Sequence, residues 1–172
     1  MKETENLYYS TFKVSGINFL VVTSHIGVKT IYINKPVLRV RPEKAIRLQP
    51  DDPYMYNIYK QLKEYFAGER KEFDIPLDLR GTEFQKRVWC ELMNIPYGTT
   101  ISYKELAIKV GGENKSRAVG QANSLNPVPI IIPCHRVINT GGKIGGYSCG
   151  VIIKEKLLEL EGILSLELFS EE

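Results

Sequence analysis

The sequence predicts an α+β chain in two units: a small α/β domain over residues 1–80 and a mainly helical domain over residues 81–172. Two observations predict it. The first 34 residues hold three runs rich in β-branched and aromatic side chains, separated by turn residues. After Arg80-Gly81 the apolar residues recur at helical spacing behind two capping boxes.

In order, residues 7–14, 17–23 and 28–34, divided by Ser15-Gly16 and by residues 24–27, read as an antiparallel meander. Residues 35–47 carry five basic side chains against Glu43 alone, which fits a solvated loop or an auxiliary phosphate contact. Met55, Ile58, Leu62 and Tyr65 share one helical face, so residues 53–66 form a helix that Asp52 caps and Gly68 ends. Residues 71–79 alternate polar and apolar around Pro76 and read as an edge strand or an extended linker.

Thr82-Glu83-Phe84-Gln85 then opens a helix whose buried stripe is expected to be Phe84, Val88, Trp89, Leu92 and Met93, with Cys90 packed inside. It stops before Pro96-Tyr97-Gly98. Ser102-Tyr103-Lys104-Glu105 opens a short helix with Leu106, Ala107 and Val110 inward. Gly111-Gly112 turns the chain, and Asn114 is expected to cap a third helix running to about Leu125. Residues 102–125 are thus a helix-turn-helix candidate. The second helix, with Arg117, Ala118, Gly120 and Gln121, is poor in bulky side chains, so its backbone can approach another helix or a nucleic-acid groove closely. Glycine pairs at 141–142 and 145–146 lead to Tyr147-Ser148, and a last helix starts near Ile153. Leu157 and Leu158 mark its inner face, which Glu161 shares. An acid there either sits solvated at the stripe's edge or finds a partner, and the nearby candidate is His135.

The segment at 126–138 carries the chemistry. Pro127, Pro129 and Pro133 fix φ and stiffen an apolar run that ends in Cys134-His135. Adjacent side chains diverge whether the backbone is extended or helical, so His135 needs a bridging water or a backbone adjustment to act on the Cys134 sulfur. That is unlike a cysteine hydrolase, whose base comes from a distant part of the chain and bonds the thiol directly. The alternative is a buried cysteine beside a satisfied histidine.

Composition bounds the setting. A hydrophobic share of 43% and a charged share of 25% are those of a soluble globular protein. No membrane span or signal peptide is legible, so the chain is expected to work inside the cell, in the cytoplasm or, where the source has one, the nucleus. Three scattered cysteines without a C-x-x-C pair, and only two histidines, predict neither a disulfide scaffold nor a metal. Residues 84–150 hold eight Lys/Arg against three acids, whereas residues 151–172 hold two against six. A basic middle beside the cysteine fits a polyanion-binding face, although a randomly charged surface gives similar numbers.

Pro133-Cys134-His135-Arg136-Val137 resembles the active-site signature of the O6-alkylguanine-DNA alkyltransferases. It is accompanied in that family's order by Gly81-Thr82-Glu83-Phe84-Gln85, Ile101-Ser102-Tyr103, Arg117-Ala118-Val119-Gly120, Asn126-Pro127, Tyr147-Ser148 and Leu160-Glu161-Gly162. The likeness covers residues 81–162, while residues 1–80 match in size and layout.

The resemblance implies a ribonuclease-H-like N-terminal domain and a winged helix-turn-helix-like C-terminal domain. It also implies irreversible transfer of an alkyl group from O6-alkylguanine in DNA to Cys134, with O4-alkylthymine a second candidate substrate. His135, a bridging water and Glu161 would draw off the thiol proton. Tyr103 would assist rotation of the target nucleotide and donate toward the departing base, and Asn126 would tie the recognition helix to the active-site segment. Ser148 would donate to O6, Tyr147 and Val137 would line the base pocket, and Lys154 would support it. Arg117 would fill the vacated stack, on a helix whose Ala118, Gly120 and Gln121 meet the minor groove. The implied partner is double-stranded DNA, bound by a monomer without cofactor or membrane. Cys149 stands where the family often has glycine, and the zinc ligands of some relatives have no counterpart. Two rivals remain: a DNA binder without transfer, whose relatives lack the acceptor cysteine, and a cysteine hydrolase, for which no oxyanion-hole motif is visible.

Overall fold

The computed structural model describes residues 6–35 and 45–164. The chain divides into two compact units, Met1–Arg80 and Gly81–Glu172. In the first, the meander is formed by β1 (Tyr8–Val14), β2 (Ile17–Thr23) and β3 (Val28–Ile33), both pairs antiparallel. A short β4 (Ile46–Arg47), with no alternation to announce it, adds in parallel to β1 and gives the order β3-β2-β1-β4. Nearly all of β2 is buried, as a central strand should be. Helix α1 (Pro53–Phe66) begins at Asp52, whose side chain accepts from the Tyr54 amide, and it buries Met55, Ile58, Leu62 and Tyr65. Phe12 and Phe19 meet Tyr59 and Phe66 edge-on across the sheet-helix interface. Within residues 71–79, Leu77 bridges in parallel to Val28 of β3, whose backbone bonds Pro76 and Asp78. Most of the basic stretch at 35–47 lies outside the described residues.

The second unit is helical. Both capping boxes form: Thr82 and Gln85 close the start of α2 (Glu83–Met93), and Ser102 and Glu105 close the start of α3 (Tyr103–Val110). Gly81 touches the ring of Trp89 so closely that a Cβ would stand 2.6 Å from it, which explains a glycine just before that cap. The chain then passes Gly111, at φ 127, and a 3-10 turn (Glu113–Lys115) into α4 (Ser116–Ser124). Asn114 does not cap α4: it lies inside that turn, and Lys115 holds the cap position with no side-chain bond.

The stripe of α2 is narrower than expected. Val88, Trp89 and Leu92 are buried, Phe84 is half-buried, and Cys90 and Met93 are exposed. Both lie on the face shared by Glu83, Lys86 and Arg87, so their apolar character misled where position did not. Trp89 Nε1 donates to the Ala122 carbonyl at 2.9 Å and so ties α2 to α4. Two-residue strands β5 (Ile101–Ser102) and β6 (Val137–Ile138) pair in parallel, and α5 (Val151–Leu160) closes the unit, starting two residues earlier than expected. No helix among the described residues is long and apolar enough to cross a membrane.

Candidate active site

The segment between α4 and β6 is held by a chain of short-range bonds. The Asn126 side chain accepts from the Val128 amide at 3.0 Å and donates through Nδ2 to the Ile132 carbonyl at 2.8 Å and to Cys134 Sγ at 3.0 Å. Pro133, at φ −81 and ψ 61, is the centre of an inverse γ-turn, which Cys134 N–H closes on the Ile132 carbonyl at 2.8 Å. Ile130 sits at φ 77, a left-handed conformation that costs a β-branched residue about 1–3 kcal/mol. Asn126 and the packing of Val128, Ile130 and Ile132, all buried, hold that strain.

This turn delivers Cys134, 1% exposed, to the first position of a 3-10 turn (Cys134–Arg136). Burial pushes its thiol up to about 11, against the opposing pull of the Asn126 amide, so at neutral pH the sulfur carries its proton. The thiol also lies 3.9 Å from the Tyr147 hydroxyl. Above pH 7 the thiolate fraction of such a group rises about tenfold per unit. Carbamidomethylation of Cys134 by iodoacetamide, followed by peptide mass, should climb accordingly from pH 7 to 10. A plateau near pH 8.5 would contradict the burial effect.

His135 is fully buried, and Nε2 meets Glu161 Oε1 at 2.8 Å. A carboxylate only accepts, so Nε2 carries the hydrogen and Nδ1 keeps the lone pair. Nδ1 is buried with no hydrogen-bond partner among the described residues. Burial lowers the histidine's pKa, the Glu161 bond opposing it, which keeps the imidazole neutral and basic at Nδ1.

Glu161 has a second partner that the periodicity of α5 did not reveal. Arg136 Nε donates to Oε2 and Nη2 to Oε1, both at 2.9 Å, and the Gly98 amide reaches Oε2 at 3.2 Å. Arg136 Nη1 completes its bonding on the Ile95 carbonyl at 2.6 Å. The acid on the apolar stripe is therefore neither solvated nor at the edge: it is 5% exposed and fully partnered. Arg136 is part of the sequence signature, but nothing in residue order placed it on Glu161.

Lys154 is buried, its Nζ donating to the carbonyls of Val137 and Ile144, each at 2.6 Å, and of Gly146 at 3.3 Å. These bonds pin the glycine loop to β6. Burial lowers the amine to about 8, and a thiolate at Cys134 would raise it again, so the two charges favour each other.

A cleft of about 240 Å³ opens beside this cluster, lined by Tyr103, Asn123, Ser124, Gly146, Tyr147 and Ser148. The structure thus brings Cys134, Asn126 and Tyr147 together, and Tyr103, Tyr147 and Ser148 together; Val137 is buried but is not part of the cleft lining. Burial, then the charge of Cys134, holds the Tyr103 hydroxyl above its usual range, so it remains a proton donor. Gly120 faces Tyr103, where a Cβ would lie 3.9 Å from the ring. Arg117, Ala118 and Gln121 lie instead on the exposed face of α4. Asn123, which sequence reasoning passed over, is a buried amide in the cleft wall. No group of three His, Cys, Asp or Glu able to hold a metal occurs among the described residues.

Comparison with known proteins places this geometry. Residues 83–163 match the DNA binding domain of 6-O-methylguanine DNA methyltransferase, and residues 36–79 match its ribonuclease-like domain. The methylated-DNA–protein-cysteine methyltransferase of Methanosarcina acetivorans is 43% identical over 157 residues, covering 91% of this chain and 99% of that one. The protein of the same name from Methanosarcina mazei is 49% identical over 159 residues, covering 90% and 97%. The crystal structure of Mycobacterium tuberculosis O6-methylguanine methyltransferase superimposes with a TM-score of 0.80 at 38% identity, covering 94% of this chain and 97% of that one. A crystal structure of M. tuberculosis OGT in complex with DNA gives 0.80 at 41%, covering 90% and 93%. With both units matched in order and full-length relatives at this identity, the chain belongs to the 6-O-methylguanine DNA methyltransferase family.

Proposed function

We propose that the protein repairs DNA by direct reversal, moving the alkyl group of O6-alkylguanine onto Cys134 in a single irreversible event. The carrying observation is one buried thiol with an amide donor on its sulfur and a His135–Glu161 pair beside it, next to a cleft sized for a base. The names of the relatives point to the same chemistry.

The O6 atom lies within the base pair, so the nucleotide must rotate out of the duplex to reach the cleft, at a cost of a few kcal/mol in stacking. Arg117, on the exposed face of α4, is the side chain that fills the gap. Once the base is seated, the Cys134 proton passes through a water to His135 Nδ1, and Glu161 stabilises the imidazolium that forms. The developing thiolate is held by Asn126 Nδ2 and favoured by the positive charge of Lys154. Sulfur attacks the alkyl carbon: the S–C bond forms, the C–O6 bond breaks, and the electron pair stays on the purine. Ser148 donates to O6 and Tyr103 to the departing base. The product is a thioether, which offers water no carbonyl to attack, so the protein is consumed.

The partner is double-stranded DNA, bound by a monomer inside the cell. The test is an O6-methylguanine oligonucleotide followed by peptide mapping: the reading requires one methyl on the Cys134 peptide and no more than one equivalent per chain. An O4-methylthymine oligonucleotide run in parallel settles the second substrate. Demethylated DNA with bare Cys134, or many turnovers, would overturn the reading. Arg117→Ala should slow reaction with duplex by about tenfold or more, the stacking loss no longer offset, while leaving reaction with the free base O6-benzylguanine unchanged. Equal slowing of both would remove Arg117 from the rotation step.

A further inference from the structure

Asn123 stands out among the groups this mechanism leaves unused. It is 5% exposed, projects from α4 into the wall of the cleft, and lies beside Tyr103. Its Nδ2 approaches the Tyr103 hydroxyl oxygen at 3.5 Å, while Oδ1 of the same amide is buried with no hydrogen-bond partner among the described residues. An orphaned buried acceptor is costly, and native structures rarely keep one without a use. Here relief lies close by. Turning the amide through half a revolution would bring Oδ1 to Tyr103, which would then donate its own proton and satisfy the oxygen.

The two orientations differ in where the tyrosine proton goes. With Nδ2 donating, the hydroxyl oxygen accepts and its proton is uncommitted. With Oδ1 accepting, that proton is spent on the protein. We propose that Asn123 is a positioning residue for alkyl transfer: by donating to the Tyr103 hydroxyl oxygen it directs the tyrosine proton into the cleft, toward the departing base. The inference rests on the repair reading above and extends it to a residue outside the hydrogen bonds of the Cys134 sulfur.

Two further observations support it. Gly120, one turn earlier on α4, faces the Tyr103 ring, to which an added Cβ would make ordinary contact at 3.9 Å, and ring and amide line the same cleft. Burial and the Cys134 charge hold the Tyr103 hydroxyl above its usual range, and the Asn123 hydrogen bond opposes them, as a donor to that oxygen must.

The donor role separates from mere packing by chemistry. Asn123→Asp keeps the shape but presents only acceptors, so it should capture the tyrosine proton. Asn123→Leu keeps the volume but neither donates nor accepts. Each is compared with the parent in single-turnover transfer of a labelled methyl from an O6-methylguanine duplex, with duplex affinity measured separately. The expected result is a slowing of about tenfold for both variants, the scale of one hydrogen bond, with affinity unchanged. In a Tyr103→Phe background neither variant should slow the reaction further, because the hydroxyl through which Asn123 acts is gone. Emission from Trp89, the only tryptophan, reports whether each variant is folded. If the leucine variant misfolds, the aspartate cycle alone decides. An Asn123→Asp protein working at the parental rate, or equal slowing in both backgrounds, overturns the inference. A parent protein that moves no methyl to Cys134 overturns instead the repair reading on which it rests.

Discussion

Cys134→Ala should abolish alkyl transfer and leave affinity for duplex DNA within about twofold. The chain has three cysteines, and only this one combines burial with an amide donor on sulfur; Cys90 is exposed on α2, and Cys149 is half-buried in the loop before α5. Removing the sulfur costs Asn126 one acceptor but not its footing, because Nδ2 keeps the Ile132 carbonyl and Oδ1 keeps the Val128 amide. The strained segment therefore holds its course, and the stability loss should stay near the ~1 kcal/mol of a small cavity. In the proposed reading the duplex is held by the exposed face of α4 and the surrounding basic residues, so salt should weaken binding in parent and variant alike. The measurement pairs methyl-transfer mapping with fluorescence anisotropy of a labelled duplex. A methyl appearing on the Cys149 or Cys90 peptide of the variant, at the parental rate, would move the acceptor elsewhere.

That prediction was reachable from sequence because the features behind it are local. Proline fixes φ wherever it stands, so residues 126–138 announce a stiff turn, and capping boxes need only four consecutive side chains. Both boxes form, as does the Asp52 cap. The misses have a common physical form. β4 is two residues long and borrows its register from β1, so no pattern of its own exists to read. Cys90 and Met93 are apolar by type but solvent-facing by phase, and phase prevails. Asn114 has the residue type of a cap, yet the chain takes a 3-10 turn through it.

At the site, the approach of Glu161 to His135 was open to inference because the two share an obvious need. Glu161 lies on an apolar stripe, and His135 is the one imidazole near it. The bidentate arm of Arg136 and the orphaned oxygen of Asn123 were not, since each depends on a side-chain direction that tertiary packing alone fixes. Both are second-partner effects: the groups they act on were recognised, but the number of bonds those groups make was not.

Glu161→Gln should be the most damaging single change short of removing the nucleophile, and it should fail twice. The carboxylate accepts from four donors: His135 Nε2, Arg136 Nε and Nη2, and the Gly98 amide. Glutamine supplies one accepting oxygen and sets an NH2 group against the remaining donors, leaving the buried guanidinium without its counter-charge. Breaking a buried ion pair on one side costs about 3–5 kcal/mol. A urea melt followed by Trp89, which lies in the same unit, should show its midpoint fall with the slope unchanged. The second failure is chemical. If the new NH2 faces His135, the ring must offer Nε2 as acceptor and carry its hydrogen on Nδ1, the position from which it takes the thiol proton. Transfer in the folded baseline should therefore drop about 100-fold or more, the lower range for losing a positioned base. Glu161→Asp, which keeps the charge, should recover part of both. Should the glutamine variant melt like the parent and still methylate Cys134 at the parental rate, the buried cluster would be neither the clamp nor the proton path, and His135 would need another partner.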